Sequence, residues 1–93
     1  MTYVKFINLS IEANGIKSPD TYIVVIFYNN ISSIIVDKGK FIIRVRETLR
    51  TDNFQLDTLT LPMGEEQAKL TCDRLTECID SGKSLNIMIT PPL

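Results

Sequence analysis

The chain predicts an α+β domain: a curved antiparallel sheet of five to six strands with one C-terminal amphipathic helix packed on it. Three stretches carry this reading. Residues 31–50, ISSIIVDKGKFIIRVRETLR, alternate apolar and polar side chains on both sides of Lys38-Gly39, the pattern of a hairpin. Residues 21–28, TYIVVIFY, are nearly all β-branched or aromatic and too few for a lone helix. Residues 65–81 have a helical period with a signal at each end. At 93 residues, the chain has the length of a single domain, 1–93.

The elements follow in order. Residues 3–11 read as a first strand whose apolar parity changes near Phe6-Ile7, which calls for a bulge or bend. Asn14-Gly15 is a strong turn signal, and Lys17-Ser18-Pro19-Asp20 reads as a loop because Pro19 has no N–H to give a ladder. Residues 21–28 then read as a buried central strand, and Asn29-Asn30 turn the chain into the hairpin.

In the hairpin, Val36 opposite Phe41 puts Ile34 opposite Ile43 and Ser32 opposite Val45. One face holds Ile34, Val36, Phe41, Ile43 and Val45; the other holds Ser33, Ile35, Ile42, Arg44 and Arg46. Gly39 supplies the positive φ of a tight turn. After a turn at residues 50–53, residues 54–61 form another strand, with a parity switch around Asp57-Thr58 that again indicates a bulge.

Pro62-Met63-Gly64 breaks the strand, and the helix begins with Glu65 and Glu66, which suit the positive end of its dipole. Gly82 stands at the position of a left-handed cap. Ala68, Thr71, Cys72, Leu75, Cys78 and Ile79 share about 120° of arc at 100° per residue, with Leu70 on the opposite side. Residues 84–90 alternate Leu85, Ile87 and Ile89 against Asn86 and Met88, a final strand ended by Pro91-Pro92. The core expected from these faces is Phe6, Ile23, Val25, Phe27, Ile34, Val36, Phe41, Ile43, Val45, Leu59, Leu61, Ala68, Cys72, Leu75 and Ile79.

Composition narrows the chemistry. A 44% hydrophobic, 23% charged chain is too apolar for disorder, and a net charge of −1 gives no global attraction to nucleic acid or anionic membrane. No leader pattern opens the sequence, and its longest apolar run is far short of the roughly 20 residues that span a bilayer, so a cytoplasmic protein without a membrane span is expected. Histidine is absent, which removes the commonest general base, the usual zinc ligand and the Ser-His and Cys-His pairs. Cys72 and Cys78, six residues apart on one helix, lie about 9 Å apart along its axis, too far for a disulfide, and read as reduced core thiols. No phosphate loop or dinucleotide fingerprint is present. Turn and dipole roles account for Asp52, Asp57, Glu65 and Glu66. The expectation is therefore a non-enzymatic protein with no catalytic residue, no metal site and no cofactor.

Two groups of residues are candidates for contact. Lys38, Lys40, Arg44, Arg46 and Arg50 form the one compact basic cluster, with Lys40, Arg44 and Arg46 on one strand face; they suit an anion or an acidic partner. Ile35 and Ile42 on that mixed face, with Leu70 on the helix, are candidates for an interface. The last strand, at a sheet edge, suits pairing with another chain.

Residues 29–43, NNISSIIVDKGKFII, followed by Leu59-Thr60-Leu61 and the helix, resemble small bacterial and phage proteins of PH-like build. In these, a strand ending in an N-x-I-x-x-I segment precedes a hairpin and a C-terminal helix packs on the sheet. Residues 84–90 depart from the pattern, which usually ends with the helix. The resemblance implies binding of peptides, proteins or lipid head groups. The leading functional expectation is a small protein-interaction module, a regulator or inhibitor that acts by binding another protein and self-associates as a homo-oligomer. The alternative is a binder of nucleotide, nucleic acid or anionic head groups through Lys40, Arg44 and Arg46.

Overall fold

Six strands and one helix form along the chain in the computed structural model, which describes residues 1–13, 16–50 and 55–89. They are β1 (Tyr3–Ala13), β2 (Ile16–Phe27), β3 (Ile31–Asp37), β4 (Lys40–Arg50), β5 (Gln55–Pro62), α1 (Glu65–Ser81) and β6 (Leu85–Met88). A short 3₁₀ turn, Tyr28–Asn30, joins β2 to β3.

The strands divide into two three-stranded sheets rather than the single curved sheet expected from the sequence. One has the order β2-β1-β6, the other β3-β4-β5. Two features mark the division. The 3₁₀ turn breaks the ladder between the hairpins, and β6 returns after the helix to pair parallel with β1, Val4 opposite Leu85 and Phe6 opposite Ile87. A parallel partner so distant in sequence leaves no local periodicity signal. The α+β class and the packed helix hold.

β1 bends where its parity changes. Phe6 pairs with Val24 and Leu9 with Tyr22, so Ile7 and Asn8 together face Ile23. Asn8 takes the left-handed conformation, φ 66°, that asparagine tolerates better than most residues, and its Nδ2 donates to the Ile89 carbonyl at 3.1 Å. The bend thereby holds the end of β6. Residues 16–20 belong to β2 rather than to a loop; Ser18, Pro19 and Asp20 together oppose Ile11, where the ladder is already broken and a proline costs nothing. Asn14-Gly15 and residues 51–54 lie outside the described residues.

The β3–β4 hairpin pairs Val36 with Phe41, Ile34 with Ile43 and Ile35 with Ile42 across Lys38-Gly39, whose φ values are 47° and 77°. Its far end departs from the expected register. Val45 faces Ile31, not Ser32, because Ser32 is bulged out between the Ile31 and Ser33 pairs. In β4–β5 the pairs run from Phe41–Leu61 through Arg44–Thr58 and resume at Leu49–Leu56, so the surplus residues of that bulge lie on β4.

α1 ends in a Schellman cap. Gly82 has φ 70°, its N–H reaches the Ile79 carbonyl, and the Lys83 N–H reaches the Cys78 carbonyl at 2.9 Å. Ala68, Thr71 and Leu75 are buried, with Cys72 and Ile79 packed beside them, and the nearest strands are β3 and β4. Thr71 is the one buried polar residue of the described set, and its hydroxyl donates to the Gln67 carbonyl at 2.8 Å. Val4, Phe6, Leu9, Ile11 and Ile26 from one sheet meet Phe41, Ile43, Leu59 and Leu61 from the other in this same core.

Candidate functional site

The largest departure from the expected core defines the first candidate surface. Ile23, Val25 and Phe27 are not core residues: they are 65%, 37% and 44% exposed, while Ile26 is fully buried and Val24 packs against the core. The register explains the inversion. β1 has Val4 and Phe6 inward, and its antiparallel pairing sets Val4 against Ile26 and Phe6 against Val24, so the odd-numbered residues of β2 point outward. β2 is an edge strand, not a central one.

On this outer face Tyr3 and Phe27 are cross-strand partners, their rings edge to face with centroids 6.4 Å apart. Ile7 pairs with Met88, which is 64% exposed. Lys5 sits mid-face, between Val25 on one side and Asn86 on the other. Among the described residues the result is a largely apolar surface with Lys5 as the cation near its centre. In residues 21–28 both parities are apolar, so the strand alone does not disclose this face; the polar Lys5 between Val4 and Phe6 is the signal that does, once the register is known.

The second candidate surface is the outer face of the β3-β4-β5 sheet. Ile35, Ile42 and Thr60 form its central row, Ser33, Arg44 and Thr58 the next, and Asp37, Lys40 and Pro62 the third. Lys40, Arg44 and Arg46 are all exposed there, and among the described residues none has an ion-pair partner. Ile35 and Ile42 are half-buried cross-strand neighbours. Lys38 stands apart at the tip of the turn, and Arg50 lies beyond the β4 bulge, so the structure brings together three of the five basic candidates. Phe41 points inward, and among the described residues this face offers no ring on which a base could stack.

The third surface is the helix face turned away from the core. Leu70 is 52% exposed and lies among Glu66, Asp73, Arg74 and Glu77. A shallow open groove beside it is lined by Asp73, Thr76, Glu77, Asp80 and Ser81. The nearby Lys69–Glu65 contact, 3.5 Å, joins exposed side chains one turn apart and contributes little.

Cys72 and Cys78 are both free and half-buried. Tyr28 lies near Cys78, and its hydroxyl donates to the Lys83 carbonyl at 2.6 Å. Burial holds its phenol above the usual 10.0, and the Cys78 thiolate acts in the same direction. Among the described residues, no group of three or more His, Cys, Asp or Glu side chains converges as a metal site would require, and no helix is long and apolar enough to cross a membrane.

No protein-family model, no curated protein and no solved structure matches this chain.

Proposed function

We propose that the protein is a non-enzymatic interaction module that binds another protein through the outer face of its β2-β1-β6 sheet. The observation that carries this reading is the exposure of Ile23, Val25, Phe27 and Met88 on one continuous sheet face. Scattered apolar residues are normal on a protein surface, but a contiguous set on one sheet face is the form of a contact surface. Lys5 specifies the partner's chemistry: an apolar segment with a carboxylate placed to meet the ammonium among the apolar groups. Tyr3 and Phe27 would be the anchors, since aromatic side chains dominate interface energetics.

Selection of a random peptide library on the immobilised protein tests this reading. The expected winners are apolar peptides with an acidic residue, whose affinity falls at least tenfold with Lys5→Glu and is lost with Ile23→Ser plus Phe27→Ser. Peptides that bind equally well to both variants would place the contact elsewhere and defeat the reading.

A further inference from the structure

We propose that the outer face of the β3-β4-β5 sheet is the docking site for helix α1 of a second copy of this chain, in head-to-tail association. This surface is separate from the one in the preceding proposal, and the two stand independently.

Two matched patterns support the inference. Along β4, the outward positions read Lys40, Ile42, Arg44, Arg46: cation, apolar, cation, cation. Along the outermost line of α1, the order is Glu66, Leu70, Asp73, Glu77: anion, apolar, anion, anion, with the cation Arg74 at its margin, a turn beyond Leu70. At 100° per residue these four helix positions fall within about 60° of arc, directly opposite the buried Ala68, Thr71 and Leu75. The strand series spans about 20 Å at 3.4 Å per residue, and the helix series about 16 Å at 1.5 Å per residue. Lysine, arginine and glutamate side chains bridge that difference. Laid along β4, α1 of the second copy places Leu70 on the Ile35–Ile42 pair and sets each carboxylate near a cation.

Both charge series lack ion-pair partners within the described chain. The contact also gives Ile35, Ile42 and Leu70 a common apolar environment. Because α1 packs on the core side of this sheet, its outer line and the sheet's outer face look in opposite directions. The two surfaces cannot meet reciprocally across a twofold axis, so association is heterologous and continues beyond two copies as a ring or an open chain. Exposed charge pairs are screened by salt, so the assembly weakens as ionic strength rises.

Sedimentation velocity on the full chain tests this. At about 0.1 mM protein and low salt, the weight-average mass should exceed that of two chains and fall toward one chain in 0.5 M NaCl. Arg44→Glu with Arg46→Glu, and separately Asp73→Lys with Glu77→Lys, should each stay monomeric while keeping the wild-type circular dichroism. Their equimolar mixture should reassociate, because each swapped face then meets its swapped complement. Leu70→Ser, a single change at an exposed helix position, should weaken association at least tenfold without any charge reversal. A monomeric wild type, an assembly that stops at a closed dimer, or a mixture that remains monomeric would each overturn the proposal. So would a monomeric wild type that binds a single-stranded oligonucleotide through Arg44 and Arg46, which assigns the face to nucleic acid.

Discussion

The carboxamide of Asn30 pairs with both main-chain groups of Glu47: the Glu47 N–H donates to Oδ1 at 2.7 Å and Nδ2 donates to the Glu47 carbonyl at 3.2 Å. Glu47 lies in the part of β4 that has slipped out of register with β5, between the Arg44–Thr58 and Leu49–Leu56 pairs. The side chain thus continues the β3–β4 ladder beyond the Ile31–Val45 pair, and it does so from the 3₁₀ turn joining the two sheets. Replacing Asn30 by Ala should cost about 1–2 kcal/mol, since two hydrogen bonds go and water reaches the freed groups only in part. Urea denaturation should show a lower midpoint at unchanged slope. Asn30→Asp keeps the acceptor, loses the donor and should fall between the two.

The Lys38-Gly39 turn is improvable. Both residues have positive φ, and lysine is strained there while asparagine is not. Lys38→Asn should stabilise the fold by about 0.5–1 kcal/mol. Gly39→Ala should do the reverse, because an added Cβ meets the Met63 carbonyl oxygen at 3.3 Å at a φ of 77°. Thermal denaturation of the two variants should move in opposite directions.

Tyr28 makes the fold sensitive to alkali. Its folded pKa is raised, first by burial and then by the Cys78 thiolate, so the neutral phenol is the form the folded state favours. The associated stability is fully present below the unfolded value of about 10 and is lost as pH rises through the folded value. Ionisation also removes the donor that holds the Lys83 carbonyl. The absorbance titration of the wild type minus that of Tyr28→Phe should show a midpoint above 10, and the variant should lose less stability over the same pH interval. A difference curve centred at or below 10 would contradict this.

Two phenylalanines on neighbouring strands should differ sharply. Phe6 is fully buried, and Phe6→Ala should cost about 3–5 kcal/mol through the cavity it leaves. Phe27 is exposed and loses little more than its edge-to-face contact with Tyr3, so Phe27→Ser should cost about 1 kcal/mol. A comparable loss for the two would mean that Phe27 is covered in solution by something it packs against.

The elements with strong local grammar are the ones the sequence determines. The helix at Glu65–Ser81, its Gly82 cap, the hairpin across Lys38-Gly39 and the inward set of Phe41, Ile43, Leu59 and Leu61 all follow from period, turn chemistry and capping. These are interactions between residues close in the chain, and each leaves its own pattern in the order of residues. The Lys40, Arg44, Arg46 stripe belongs with them, because strand parity alone places the three on one face.

Only the tertiary structure decided which way residues 21–28 turn, how many sheets there are and where Asn30 binds. With Ile23, Val24, Val25, Ile26 and Phe27 all apolar, the strand carries no parity preference of its own; pairing with β1 turns Val24 and Ile26 toward the core and exposes the rest. The third strand of the first sheet is β6, which reaches β1 from the other end of the chain, and the Asn30–Glu47 pairing continues the β3–β4 ladder from the turn between the sheets. Contacts between distant residues are chosen by the shape of the whole core, and a local stretch of sequence does not contain that shape.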